Sequence, residues 1–505
     1  MTGAPTRVVV AGGGTAGWIA ATALARQLGR LVDVTLVESD AIGTVGVGEA
    51  TIPTARAFHD LLRIDEAAFM RATGATFKLG IAFENWGAVG DSYIHSFGTV
   101  PLKTWAAEFQ HFWLEARDRG VAGPLGEYNL EHQAALAGRF ARDGQIATNY
   151  AYHLDAGRYA TFLRSIAESD GARRVEGRIA SVERSGESGD VTALLLESGQ
   201  RVAGDLFIDC TGFRALLIEG EMQAGFEDWS HWLPMDRALA VQTELLDEPV
   251  PYTRSIAHGA GWQWRIPLQH RMGNGNVYCS AYMEDADALS LLASSVDGNM
   301  LTDPRPVQFR TGRRRKLWCR NVIALGLSSG FVEPLESTSI HLFMTGVTRL
   351  IQQFPFGPIS DAQRDRFNRM AQAEAEDVRD FVILHYKLTG RGDTPFWRQV
   401  SGMEIPATLQ QRIALFAERA EAWQGADELF RVESWVQVML GQGLEPRAWH
   451  RLAALVSDEK LSATLANLRQ DIARKVEAMP RLGDFLAGYC PAAEPAVRAK
   501  ATAVG

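Results

Sequence analysis

The run Gly12-Gly13-Gly14-Thr15-Ala16-Gly17 constrains the chain more than any other feature. It is a G-x-G-x-x-G set between two apolar segments of different period. Before it, residues 7–11 (RVVVA) read as a buried strand. After it, a helix is predicted through about Gln27, then a second buried strand from Val32 to Val37 that closes at Glu38. Strand, helix and strand within about thirty residues make a βαβ unit. In such a unit Gly12 permits the tight turn, Gly14 lets backbone approach a pyrophosphate, and Gly17 lets the helix pack on the strand. Thr15 and Ala16 open the helix, whose free N–H groups and positive dipole end face the phosphates. Glu38 stands 21 residues after Gly17, where a carboxylate accepts ribose hydroxyls.

The same stretch carries eighteen uncharged residues, Val8 to Ala25, and resembles a signal or spanning segment in hydropathy alone. Its four glycines argue against lipid, where their backbone would lack partners. No membrane role is expected. The net charge of −9 and pI near 5.7 argue against nucleic acid, which needs a basic face. The four cysteines form no C-x-x-C pair and the eleven histidines show no metal spacing, so neither a disulfide framework nor a metal site is expected. The cytosol is the expected compartment.

The dinucleotide is read as FAD. Residues 321–330 (NVIALGLSSG) form a second strand entering a small-residue turn, which brings Leu327 back toward the cofactor. A long glycine- and threonine-rich loop, residues 42–53, supplies Glu49 and Ala50 as further cofactor-binding candidates. No second intact G-x-G-x-x-G remains for NAD(P)H, and Gly273 to Asn276 reads as a hairpin turn. The flavin is therefore expected to be reduced elsewhere and delivered by diffusion.

From about 170 to 215 the pattern is an antiparallel hairpin system feeding a buried strand, 205–210. Further strands are expected at 238–246 and 277–283. Beyond about 345 the chain turns helical, with a capping box at Ser360 and Gln363 and a stop at Gly390. The fold class is α/β: an FAD-binding, GR2-like body of Rossmann type with antiparallel sheet (1–350), and a mainly helical substrate-side lobe (351–505). The last fifteen residues are expected to fray.

The segments GGGTAGW (12–18), GVGEATIP (46–53), FKLG (77–80), YHLDA (152–156), DLFIDCTGFR (205–214), GWQWRIPLQ (261–269) and GFVEPLESTSIHL (330–342) occur in this order. With them the chain resembles a flavin-dependent halogenase of the tryptophan halogenase family. Trp262, Trp264, Ile266 and Pro267 match its W-x-W-x-I-P signature. The resemblance implies that FADH2, oxygen and chloride or bromide give hypohalous acid. That oxidant then crosses a tunnel to a separate pocket holding an aromatic substrate. It implies Lys78 and Glu336 as catalytic residues, the backbone of Thr338 and Ser339 as the halide site, and the two tryptophans as a barrier between substrate and flavin. It also implies a separate flavin reductase. A monomer or a homodimer is expected.

Local chemistry agrees. The chain has only seven lysines against 44 arginines, so a lysine in the apolar segment TFKLGIAF raises the question of what arginine could not do there. An amine loses its proton when buried; a guanidinium does not. Glu336 could stabilise a cationic ring, accept its proton, or act through Lys78, and Glu333 is its confusable neighbour. Tryptophan-specific relatives resemble S-T-G where this chain has Ser337-Thr338-Ser339. That departure, with no placeable amino-acid clamp, favours indole or another free aromatic over L-tryptophan. Phe396, Trp397 and Trp435 are stacking candidates that equally suit a helical core. Arg313 to Lys316 reads as a strand flanked by solvated arginines, and His341 as a packed neighbour of the site. Two rival readings remain: a flavin-dependent aromatic hydroxylase, and a non-catalytic flavin-binding regulator.

Overall fold

In the computed structural model the described residues are 4–42, 48–100, 104, 106–142, 144 and 146–492. Residues 43–47 and 493–505 lie outside them, and with these all but Pro491 and Ala492 of the segment expected to fray.

The βαβ unit forms as expected. Strands Thr6–Ala11 and Val32–Glu38 pair in parallel, Val8 opposite Val34, and helix Thr15–Leu28 joins them. They sit in a six-stranded sheet with Leu206–Asp209, Val322–Ala324, Trp318–Cys319 and Arg173–Glu176. The near-continuous apolar runs of its central strands follow from burial on both faces, as parallel sheets require. Arg173–Glu176, expected within the hairpin system, instead pairs in parallel with Val32–Glu38. The hairpins themselves are Ile179–Arg184, Val191–Leu196 and Arg201–Ala203.

A seven-stranded sheet carries the second half of the body, in the order Arg305–Gln308, Arg237–Thr243, Met272–Tyr278, Gly261–Pro267, Thr253–His258, Gly80–Glu84 and Ser92–Ser96. Residues 273–276 are not a hairpin turn. They lie inside Met272–Tyr278, and the turn is made at 268–271, where Leu268 N–H donates to the Arg271 carbonyl. The glycines are there for space: a Cβ on Gly275 would stand 2.2 Å from the Trp264 ring.

A third, three-stranded sheet joins the two, in the order Gly48–Ala50, Ala151–Asp155, Thr76–Lys78. Part of the expected 42–53 loop is thus a strand, because Ala151–Asp155, a hundred residues away in sequence, supplies its backbone partner. Helix Asp361–Lys387 starts at Ser360, whose side chain accepts from Gln363 N–H, and runs to Lys387. Its apolar face packs against the seven-stranded sheet in one shared core with Pro395–Gly402 and Val432–Gly441. Among the described residues no helix is long and apolar enough to cross a membrane.

Candidate functional site: a dinucleotide cavity beside a buried lysine

A long cavity opens at the C-terminal end of Thr6–Ala11, lined by Gly12 to Ala16, Glu38, Glu49, Ala50, Leu327, Ser337 and Ser339, and walled by Trp262, Trp264 and Ile266. Its glycines test the fit of a dinucleotide. Gly12 has φ +107°, and a Cβ there would lie 2.2 Å from the Cys210 carbonyl oxygen. On Gly13 it would strike the Glu38 carboxylate at 1.6 Å, whereas at Gly14 it would meet nothing within 4 Å. The turn is therefore closed on its protein side and open where a pyrophosphate belongs. Gly17 faces the strand instead: its Cβ would sit 1.9 Å from the Gly12 carbonyl oxygen, so it serves packing. Glu38 receives Arg174 Nε at 2.5 Å and the Trp18 indole at 3.4 Å, which hold the carboxylate at the cavity edge. Burial pushes the Glu49 carboxyl up to about 7. These residues fit FAD.

Lys78 ends its strand with no exposed surface. Its Nζ donates to Ser337 Oγ at 2.8 Å and to the Thr51 carbonyl at 3.3 Å, and stands 5.3 Å from the centre of the Phe97 ring. Burial lowers its amine to about 7, against a smaller opposing pull from Glu336. Ser337 is held at φ +58°, and it both accepts from Lys78 and lines the dinucleotide cavity. One hydroxyl thus joins the two regions. Behind it, Thr338 caps helix Ser339–Gln352, its own Oγ1 buried without a hydrogen-bond partner, while Ser339 faces the cavity.

Glu336 is 1% exposed. It does not hydrogen-bond Lys78. His95 Nδ1 lies 2.9 and 3.1 Å from its two oxygens, and His385 Nε2 lies 2.9 Å from Oε1. Burial pushes this carboxyl up, but the two imidazoles outweigh it and hold it at about 2. His95, His385, Phe97 and Ser337 were missed from sequence. The signal present was a histidine inside an apolar run, SYIHSF and DFVILHYK. Such a residue is as readily a satisfied core histidine, so the run alone assigns nothing.

Glu333 is distinguished from Glu336 by its partners. Wholly buried, it accepts from the Trp262 indole at 2.7 Å and the Tyr386 hydroxyl at 2.8 Å, and burial raises its carboxyl to about 7. Trp262 and Trp264 share a face of their strand, ring centres 6.2 Å apart, and both line the cavity. Pro267 closes the strand and gives its carbonyl to Thr76 Oγ1.

The remaining expectations resolve by contact. Phe396, Trp397 and Trp435 are core residues, each at most 1% exposed. His341 is packed: Nδ1 meets Thr54 Oγ1 at 2.9 Å, and Nε2 lies 3.4 Å from Glu374. The Arg313 strand forms (Gly312–Arg314) and the flanking Arg315 and Lys316 are exposed, but Arg313 and Arg314 are not solvated. Arg313 is 5% exposed and paired with Glu227 and Glu376, and Arg314 is paired with Glu219. Those carboxylates come from distant segments, which the local sequence does not reveal. All four cysteines are free, and among the described residues no His, Cys, Asp and Glu group could hold a metal ion.

The chain is similar to known proteins over nearly its whole length. Residues 7–458 match the family described as tryptophan halogenase. The tryptophan 7-halogenase RebH of Lentzea aerocolonigenes is 33% identical over 96% of this chain and 99% of its own. Among solved structures, the flavin-dependent halogenase Xcc4156 of Xanthomonas campestris superposes with a TM-score of 0.96 at 53% identity, covering 98% of this chain and 100% of that one. BrvH, a flavin-dependent halogenase of Brevundimonas sp. BAL3, gives 0.92 at 44% identity, covering 96% and 99%. A cavity shaped for FAD, a buried lysine reached from it through one serine, and likeness over nearly the whole length place this chain in the tryptophan halogenase family, as a flavin-dependent halogenase.

Proposed function

We propose that the chain halogenates indole or a related free aromatic rather than L-tryptophan, with Lys78 delivering the halogen and Glu336 receiving the ring proton. FADH2 is supplied by a separate reductase. Reduced flavin, when bound, supplies the electrons by which oxygen and halide become hypohalous acid. The protein's part is then placement. The cradle Gly12, Gly14, Thr15 and Ala16 would hold the pyrophosphate and Glu38 the ribose, with Glu49, Ala50 and Leu327 against the remainder. The N–H groups of Thr338 and Ser339, at the start of a helix, suit a halide. Trp262, Trp264 and Ile266 wall the cavity and keep an aromatic substrate from it.

The observation that carries this reading is the path from cavity to amine through Ser337, with Lys78 shut from solvent. There a neutral amine donates to hypohalous acid or takes its halogen. The ring carbon bonds the halogen, the oxidant's oxygen leaves as hydroxide, and the ring proton passes to Glu336 and from there to the hydroxide, giving water. The preference for a neutral substrate rests on the groups around the amine. Phe97, Ser337 and the Thr51 carbonyl are uncharged. None of these offers a free cation to an amino-acid carboxylate.

The test is mass spectrometry of an indole and phenol panel, with L-tryptophan alongside, incubated with a flavin reductase, NADH and chloride or bromide. Halogenated indole with tryptophan unchanged is the expected result. Hydroxylated products independent of halide would overturn the reading in favour of a hydroxylase.

A further inference from the structure

Glu333 is a buried ionisable group with no part in the halogen transfer. Both of its hydrogen bonds fall on one oxygen: Oε2 accepts the Trp262 indole at 2.7 Å and the Tyr386 hydroxyl at 2.8 Å. Oε1 is buried with no hydrogen-bond partner. A carboxylate left with one oxygen unsolvated is a ready proton acceptor. Of its two donors, Trp262 is a wall of the flavin cavity and Tyr386 belongs to helix Asp361–Lys387, and neither is more than 1% exposed. An indole N–H and a phenol O–H on one base can move an electron and a proton together.

The neighbouring aromatics set this pair apart. Trp264, its ring centre 6.2 Å from that of Trp262, also walls the cavity, but its Nε1 has no hydrogen-bond partner. Beside Tyr386 lie Trp86 and Trp397, with ring centres at 5.3 and 6.0 Å, whose indoles donate to the Ser255 and His258 carbonyls. A neutral carbonyl accepts a hydrogen bond without taking the proton away. An indole or phenol that has lost an electron is a strong acid, so the electron vacancy is trapped where the proton has a base to go to. Among these rings only Trp262 and Tyr386 have one.

We infer that Trp262, Glu333 and Tyr386 form a relay that carries an oxidising equivalent off the wall of the flavin cavity and holds it on Tyr386. The oxidant is an oxidised flavin excited by light. Trp262 gives it one electron, and the indole N–H proton moves to Glu333 Oε2. Tyr386 then gives one electron to the indolyl radical. The indole nitrogen recovers its proton from Glu333, and the Tyr386 hydroxyl proton takes that place on the carboxyl. In sum, one electron passes from Tyr386 to the flavin and one proton from Tyr386 to Glu333, which leaves a neutral tyrosyl radical and an intact Trp262. Burial and the Glu333 charge hold the Tyr386 hydroxyl well above the usual range of a phenol, so it does not ionise on its own at neutral pH. Cys279 is the other titratable group on which Glu333 bears, its thiol pushed up chiefly by burial. The relay uses neither Lys78 nor Glu336, so its test stands apart from the halogen-transfer reading.

The test is EPR of the FAD-loaded protein, frozen under blue light without oxygen at pH 8.5, where Glu333 is ionised. A neutral tyrosyl spectrum is expected. It narrows when ring-deuterated tyrosine is incorporated, a measurement that needs no variant to fold. In Tyr386→Phe the tyrosyl signal is lost and a neutral indolyl spectrum takes its place. In Glu333→Gln, whose amide cannot take the proton, the tyrosyl signal is lost and transient absorption shows an indole radical cation. Absence of a tyrosyl signal from the unsubstituted protein, or an undiminished one in folded Tyr386→Phe or Glu333→Gln, overturns the proposal.

Discussion

A lysine with no solvent contact loses the hydration that makes its ammonium the resting form, and Lys78 replaces that hydration with only a hydroxyl and a carbonyl. The result is an amine held at about 7, neutral for much of the time at ordinary pH. Arginine at this position would stay charged whatever surrounds it. Lys78→Ala and Lys78→Arg are therefore both expected to abolish halogenation while NADH and oxygen consumption with the reductase continue. Halogenation in Lys78→Arg at more than a tenth of the usual rate would show that charge alone suffices. Because the neutral amine is the working form, the rate is expected to rise with pH through about 7 and level above it. A kcat profile in chloride from pH 5.5 to 9 reads this directly. Glu336→Gln keeps the shape and removes the charge, and roughly a hundredfold loss of kcat is expected, the order typical of a missing proton acceptor.

At the scale of strands and helices, the site depends on one sheet made tight enough to wall the cavity. Gly275 lies opposite Trp264 in the register, and a Cβ there would meet both that ring and the Leu239 carbonyl, at 2.2 and 2.4 Å. One contact is backbone, so the methyl group cannot be accommodated by a rotamer change. Gly275→Ala is expected to cost about 1–3 kcal/mol as an overpacked core does, and to lower the melting temperature measurably. A melting curve superposable on that of the unsubstituted protein would show the strand free to shift. The same strands show what was legible beforehand. Gly12, Gly17 and Glu38 could be read because they lie within one βαβ unit, where spacing dictates geometry, even though Cys210 and Arg174, which meet Gly12 and Glu38, come from outside it. Lys78 could be read because its segment is apolar and its motif familiar. Ser337 and His95 could not: Ser337 meets Lys78 across 259 positions, and His95 meets Glu336 across 241. Gly273 to Asn276 misled for the same reason, since glycine signals a turn locally and a close approach only once the neighbouring strand is known.

The whole molecule carries the balance of these buried groups as a dependence of stability on pH. Burial holds His59 at about 3 and His132 and His258 at about 4, against 6.5 in an unfolded chain. Below 6.5 the unfolded state takes up protons that the folded state refuses, so each of these histidines makes stability fall as pH falls toward its folded value. Glu49 and Glu333, raised to about 7 by burial, act in the opposite direction between 7 and 4.5, where the folded state is the one that binds the proton. The two sets offset each other only in part across that window, because His111 and His270, held at about 4, and His153, held well below 6.5, add to the first. Below 4.5 the offset ends, because both states of these two carboxyls are then protonated. The histidines continue to weaken the fold, and Glu336 and Glu374, each held at about 2 by cationic partners, join them. Stability contributed by those two ion-paired carboxylates is fully present above 4.5 and is lost as pH falls through about 2. The melting temperature is therefore expected to fall gently from pH 7 to 5 and steeply below about 4.5. Differential scanning calorimetry at half-unit steps tests this, and an even decline from pH 7 downward would mean that Glu49 and Glu333 are ionised in the folded protein, which would remove the offset altogether.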